Sequence, residues 1–177
     1  MAGTGGFLQP EEIIKQLNIK KGMQVADFGC GAGYFVLPLA KTVGEGLVYA
    51  FDVLEQALES VRSRAKLQGL FNIETKRCNL EIPSSSGLPD NSLDMILLAN
   101  ILFQSSKKID IIKEAKRVLK KGGELVIIDW QENQPMGPPK ELIVSTDSIK
   151  KIGLNEALTF KKEILIDKYH WGMVFQK

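Results

Sequence analysis

Cysteine and histidine are scarce in this chain of 177 residues, which holds Cys30, Cys78 and the single imidazole of His170. Neither cysteine has a partner at metal-ligand spacing, and one histidine cannot complete a Cys/His zinc site with them, so no metal is expected. Cys30 reads as a small filler and Cys78 as a strand-end residue. The chain also lacks a charged-then-apolar leader and any apolar run approaching the ~20 residues that span a bilayer, which predicts a reduced, cytoplasmic protein without a membrane span. Net charge is low, only +2, so the basic excess of a nucleic-acid-binding domain is missing. Lysine pairs such as Lys107-Lys108 and Lys120-Lys121 are scattered and read as solvated helix ends and loops. Apolar residues, at 44%, are plentiful enough for one domain with a full core over residues 1–177. That length does not hold a dinucleotide domain plus a separate catalytic domain.

The densest pattern is Val25-Ala26-Asp27-Phe28-Gly29-Cys30-Gly31-Ala32-Gly33-Tyr34, an apolar run ending in alternating glycines that flows into the helical pattern Phe35 to Val43. It reads as strand, tight turn, helix. Glycines there let the backbone approach a ligand closely, and the free N–H groups opening the helix face whatever binds, as in a nucleotide-type cofactor site. A plain structural turn is the alternative and needs fewer glycines. The dinucleotide spacing G-x-G-x-x-G would place a glycine at position 34, where Tyr34 stands. Leu47 to Phe51 reads as a buried parallel strand closed by Asp52, 25 positions after Asp27. That is near the offset at which a carboxylate takes both hydroxyls of a ribose. Asp52 also precedes the helical pattern Leu54 to Gln68, so a helix cap is the alternative; ribose binding is the reading adopted.

Elsewhere, Pro10-Glu11-Glu12 starts a helix running to about Leu17. Gly69 sits where a left-handed cap belongs, and strands follow at Ile73 to Cys78 and from Asp94. Ser106 is placed to cap a helix over Lys107 to Lys120, Gly122-Gly123 ends it, and Glu124 to Trp130 forms the next strand. Gln131 to Pro139 is too rich in proline for regular structure. A short helix from Ser145 stops near Gly153, and strands at about Leu158–Leu165 and Tyr169–Phe175 form a hairpin around Asp167-Lys168.

The D-x-G-x-G-x-G spacing of Asp27, Gly29, Gly31 and Gly33 resembles motif I of class I S-adenosylmethionine-dependent methyltransferases. The blocks Leu88-Pro89-Asp90-Asn91-Ser92-Leu93-Asp94 and Arg117 to Trp130 resemble later blocks of the same superfamily. The resemblance runs from Phe7 to Lys177 and looks most like the small branch grouped with ubiquinone/menaquinone-biosynthesis methyltransferases. It implies an α/β, Rossmann-like fold with a seven-stranded sheet in the order 3-2-1-4-5-7-6 and the last strand antiparallel. It implies S-adenosyl-L-methionine as cofactor and S-adenosyl-L-homocysteine as product. Asp27 and the glycines then lie by the methionine moiety, Asp52 by the ribose, and Asn79 and Leu80 by the adenine, with Val53 and, at the end of the fourth strand, Asn100 also among the cofactor-binding residues. Phe7 and Leu8 would help to close the pocket. Asn79 departs from the acidic residue often found there, and its neutral carbonyl should make a weaker contact.

The sulfonium makes the methyl group electrophilic, so the protein's main work would be holding an acceptor in line; no base is required and no catalytic residue is assigned. His170 either assists an acceptor or packs, and packing is the reading adopted. Phe103, Trp130 and Met136 suit a small apolar or aromatic acceptor. A macromolecular acceptor, protein or RNA, and a non-catalytic partner subunit are the alternatives, with an NAD-dependent oxidoreductase behind them. The missing Asn/Asp-Pro-Pro-aromatic tetrapeptide after the fourth strand argues against adenine in nucleic acid, and two cysteines are too few for arsenic. No feature fixes an oligomeric state.

Overall fold

The computed structural model describes residues 8–132 and 134–177. Phe7, with its expected place over the pocket, lies outside the described residues. The elements are α1 (Pro10–Ile14), β1 (Gln24–Phe28), α2 (Val36–Val43), β2 (Leu47–Asp52), α3 (Glu55–Leu67), β3 (Ile73–Arg77), β4 (Leu93–Ala99), α4 (Lys108–Val118), β5 (Leu119–Trp130), α5 (Thr146–Asn155), β6 (Thr159–Ile164) and β7 (His170–Gln176). The strands form one sheet in the order β3-β2-β1-β4-β5-β7-β6, with β7 antiparallel to both its neighbours, as the resemblance implies.

Strand side chains alternate between two cores. Val25, Val48, Met95 and Val126 pack with α1, α2 and α3 on one face, while Ala26, Ile96, Leu125 and Phe175 pack with α4 and α5 on the other. Burial on both faces is why β1 and β4 read as continuous apolar runs. Parallel β1, β2 and β4 therefore end together, and their carboxyl ends gather at one edge of the sheet.

Four local expectations are corrected. Helix α1 stops at Ile14 because its end tightens into i→i−3 bonds, Gln16 N–H to Ile13 O and Leu17 N–H to Ile14 O. The Gln16 amide is drawn off to pair with the backbone of Leu165 at 2.7 and 2.9 Å. Helix α4 stops at Val118, and β5 starts directly at Leu119 with an irregularity before Glu124. Ser105, not Ser106, accepts the Lys107 N–H at the head of α4 (2.9 Å) while donating to Glu81 (2.5 Å). Gly153 lies inside α5, where a Cβ would stand 2.7 Å from the Phe175 ring, so it serves close packing rather than a stop.

The loop from Ser84 to Asp90 is held by one buried carboxylate. Glu114 accepts from Ser84 N–H (3.0 Å), Ser86 Oγ (2.5 Å) and both Nε and Nη2 of Arg117 (2.9 and 2.8 Å). Burial pushes this carboxyl up, but the Arg117 and Ser86 hydrogen bonds outweigh it and bring it down to about 2. A carboxyl held below its ordinary 4.5 stabilises the fold above that value and loses the contribution as pH falls toward 2. Glu114→Gln should therefore cost about 1–3 kcal/mol in urea unfolding at neutral pH, because donors are stranded. The drop in stability between pH 4.5 and 2 should shrink in the same variant.

Candidate functional site

The turn after β1 crosses the carboxyl edge with Gly29, Gly31 and Gly33 all at positive φ (81°, 51° and 82°). The three do different things. A Cβ on Gly29 would stand 2.5 Å from Ile101 Cδ1 and one on Gly33 would stand 2.9 Å from Val61, so those glycines let Ile101 and α3 approach. A Cβ on Gly31 would meet nothing within 4 Å. The turn is pinned from below, where Phe51 O accepts from Gly29 and Cys30 N–H (2.8 and 2.9 Å) and Arg64 donates to Ala32 O (2.7 Å).

Acceptor oxygens collect beside this turn. Asp27, the penultimate residue of β1, is 2% exposed, and its Oδ1 has no hydrogen-bond partner. Burial first, and the Asp52 charge second, push its carboxyl up to about 7. Asp52 accepts from Gly31 N–H and Leu54 N–H, both at 2.9 Å, which ties the glycine turn to the entry of α3. It is not itself the N-cap of α3, which is Leu54, whose apolar side chain makes no capping bond. Asn100, just past β4, is 8% exposed with φ 56°, and its Oδ1 is a second buried acceptor without a donor.

A cavity of about 260 Å³ opens here, lined among others by Gly29, Asp52, Val53, Asn79 and Leu80. Five of the nine expected site residues thus share one cavity, whose wall also includes Cys78, Glu81, Ile101, Gln104, Ser105 and Ile111. Asp27, Gly31, Gly33 and Asn100 do not line it: Asp27 lies near the end of β1, Gly31 and Gly33 lie in the turn, and the Asn100 carbonyl accepts from Gln104 Nε2 of the cavity wall at 2.7 Å. Asn79 Oδ1 is engaged in its own turn, accepting Glu81 N–H at 3.0 Å. Leu8 does not line the cavity; it is buried in the α1–α2 core, where its carbonyl accepts from the Tyr34 hydroxyl at 2.7 Å. Glu81 and Ser105 went unnoticed in the sequence, since only the fold brings residues 24 positions apart to 2.5 Å.

The β5–β7 end of the edge is differently built. Trp130 faces His170 across the strands with ring centroids 4.2 Å apart, and Gly137 of the proline-rich loop lies so close that a Cβ would be 2.7 Å from the indole. The loop therefore covers Trp130, and Met136 points its exposure outward. Buried Asp129 accepts from Phe103 N–H (3.2 Å) and Trp130 N–H (2.8 Å), with its carboxyl pushed up to about 6 by burial against the pull of those bonds.

The family model described as a methyltransferase domain matches residues 19–175. The chain belongs to that family. It is similar to demethylmenaquinone methyltransferase of Geobacillus kaustophilus, 31% identical over 124 residues, covering 69% of this chain and 51% of the relative. The chain spans about half the length of the curated relatives it matches. The crystal structure of a SAM-dependent methyltransferase from Aquifex aeolicus aligns over 96% of this chain and 89% of that one, at TM-score 0.85 and 33% identity. The cyclase SpnF shares the fold alone, at TM-score 0.82, 14% identity and coverage of 95% and 80%.

S-adenosylmethionine is the cofactor of this methyltransferase family, and the residues present fit it. The space over Gly31 admits a ligand where any side chain would intrude. The donorless oxygens of Asp27 and Asn100 suit an ammonium, which has donors and no acceptor. Gly31→Ala should thus abolish measurable S-adenosylhomocysteine binding by calorimetry while lowering stability by about 1–2 kcal/mol, the cost of a left-handed non-glycine residue. A folded variant with parental affinity would make the turn structural only. Because Asp27 is protonated up to about 7, a cationic ligand must displace its proton, and affinity should fall as pH drops below 7, by up to about tenfold per unit. Without ligand the sign reverses: a raised carboxyl favours the fold at low pH, and its contribution is lost as pH rises through 7. Asp27→Asn should flatten both dependences.

Proposed function

We propose that the chain is one S-adenosylmethionine-binding methyltransferase domain that transfers a methyl group to a small aromatic or apolar acceptor. The observation that carries the cofactor half is the pair of buried acceptor oxygens, Asp27 Oδ1 and Asn100 Oδ1, on neighbouring strands beside the open Gly31. When bound, the cofactor supplies an electrophilic methyl group. The chain's residues bind and orient it: Asp27 and Asn100 take the amino-acid end, Asp52 the ribose, Val53 and Leu80 the faces of the adenine, and Asn79 its amino group. An ionised carboxylate has about four lone-pair sites, so Asp52 can keep its two backbone donors and still accept from hydroxyls.

On the acceptor side, Phe103 is a partly buried aromatic ring, Trp130 would add its ring where the Gly137 loop is displaced, and the relative in Geobacillus kaustophilus is named as a demethylmenaquinone methyltransferase. A hydroxylated quinone-type ring is accordingly the acceptor class we favour. A macromolecular acceptor is the second reading, supported by the half-exposed Val53, Leu54 and Ile82 close to the cavity.

S-adenosylhomocysteine should raise the melting temperature, whereas NAD should not. Asp52→Ala should weaken binding about tenfold to a hundredfold, since charge-assisted hydrogen bonds contribute about 1.5–3 kcal/mol. Labelled methyl transfer to a demethylmenaquinone analogue, with protein and RNA fractions in parallel, tests the acceptor; label in RNA or protein alone would favour the second reading.

A further inference from the structure

The resemblance leaves one buried group without a task. His170 is 3% exposed, yet both its ring nitrogens have partners: Nδ1 lies 2.9 and 3.0 Å from the Asp167 carboxylate oxygens and Nε2 lies 3.3 Å from Asn100 Nδ2. We propose that Asp167 and His170 form a positioning pair that fixes the Asn100 carboxamide with its oxygen turned toward the ligand. The inference rests on the cofactor reading of Asn100 and deepens it.

Each link permits one orientation. Asp167 is held by its own turn, where Oδ1 accepts the N–H groups of Tyr169 (2.7 Å) and His170 (2.9 Å). A carboxylate only accepts, so the proton of the neutral imidazole sits on Nδ1 and Nε2 is left with a lone pair. Trp130 against the ring face, 4.2 Å between centroids, blocks rotation of the imidazole. A bare Nε2 demands a donor, which is the NH2 side of the Asn100 amide, and the amide oxygen is thereby turned away from His170. That oxygen is the one left buried without a donor. The Asn100 backbone is equally fixed, with its N–H donating to Ile128 O (2.8 Å), its carbonyl accepting from Gln104, and φ at 56°, where asparagine is tolerated better than most residues. If the imidazole proton moved to Nε2, the amide would turn round and present its NH2 group to the ligand, the wrong polarity for an ammonium. Packing accounts for the burial of His170 but not for this ordered run of donors and acceptors across residues 70 positions apart.

The chain's one histidine makes the test direct. Long-range proton–nitrogen NMR of the full chain at neutral pH should show Nδ1 protonated and Nε2 bare; the opposite tautomer overturns the pair. Asp167→Asn keeps an oxygen for the two backbone N–H groups and puts NH2 against Nδ1, so the tautomer should reverse and S-adenosylhomocysteine affinity should fall about tenfold, the upper range for one neutral hydrogen bond. His170→Gln, which retains an acceptor oxygen within reach of Asn100, should bind within about threefold of the parent, while His170→Leu should lose about tenfold. Equal binding by the Gln and Leu variants, or parental affinity in Asp167→Asn with a reversed tautomer, would overturn the proposal. Should His170→Leu fail to fold, the tautomer and Asp167→Asn decide alone. A parent that binds no S-adenosylhomocysteine removes the cofactor reading instead, while the tautomer, read without ligand, still judges the pair.

Discussion

A carboxylate buried with one oxygen unpaired is the constraint around which the carboxyl edge is arranged. Asp27 stands one residue before the end of β1, an interior strand of the sheet, and desolvation there disfavours its charge strongly enough to hold its proton to about neutrality. Hydrogen-bond donors or a cation would relieve the penalty, but the sequence instead places the charge of Asp52 close by, which pushes in the same direction and increases the need for an external donor. Local instability of that kind is tolerated where a ligand compensates it. On the proposed reading the glycine turn answers the same requirement, because a ligand reaching these oxygens would cross a backbone that carries no side chain at Gly31.

The surrounding bonds keep the turn from collapsing into that space. Asp52 draws in the Gly31 N–H, Arg64 holds the Ala32 carbonyl, and Phe51 O accepts two successive N–H groups. Glu114 does similar work across the cavity, fastening the loop that follows Asn79 and Leu80 to α4. Its charge is fully compensated by donors, while that of Asp27 is not. Two buried carboxyls therefore move in opposite directions, to about 2 and about 7, and the contrast fits the proposed division between a structural acid and a ligand-binding one.

Much of this edge was legible because its signals are local. Glycines at alternate positions, an acidic residue at or next to the end of each of the first two strands, and apolar runs buried on both faces all lie within short windows of sequence, and the sheet order followed from the resemblance they carried. Boundaries were misread where tertiary partners decide. Gln16 leaves α1 to pair with Leu165, 149 positions away, and Gly153 stays helical because Phe175 needs its space. Neither signal exists in a window. The Asp167–His170–Asn100 run was illegible for the same reason: its near half is an ordinary turn, and its far half depends on β7 returning beside β5. A lone buried histidine read as packing because sequence carries no trace of what faces its second nitrogen.

The two halves of the edge also divide the chemistry. Titratable groups near the β4, β5 and β7 ends are already committed: Asp129 to the N–H groups of Phe103 and Trp130, His170 to Asp167 and Asn100, Glu81 to Ser105. Burial pushes the Cys30 thiol far up, which leaves it inert. Each of the committed groups is tied to a neighbouring backbone or side-chain group. What they do supply is rigidity, since each fixes a backbone turn or a ring at the place where an acceptor would approach. Reaction by positioning needs that and little more, because a well-oriented nucleophile gains most of its rate from the entropy already removed. The loop packed through Gly137 against Trp130 then becomes the element that must be matched to the acceptor, as its contact covers the aromatic surface that a planar ring would use.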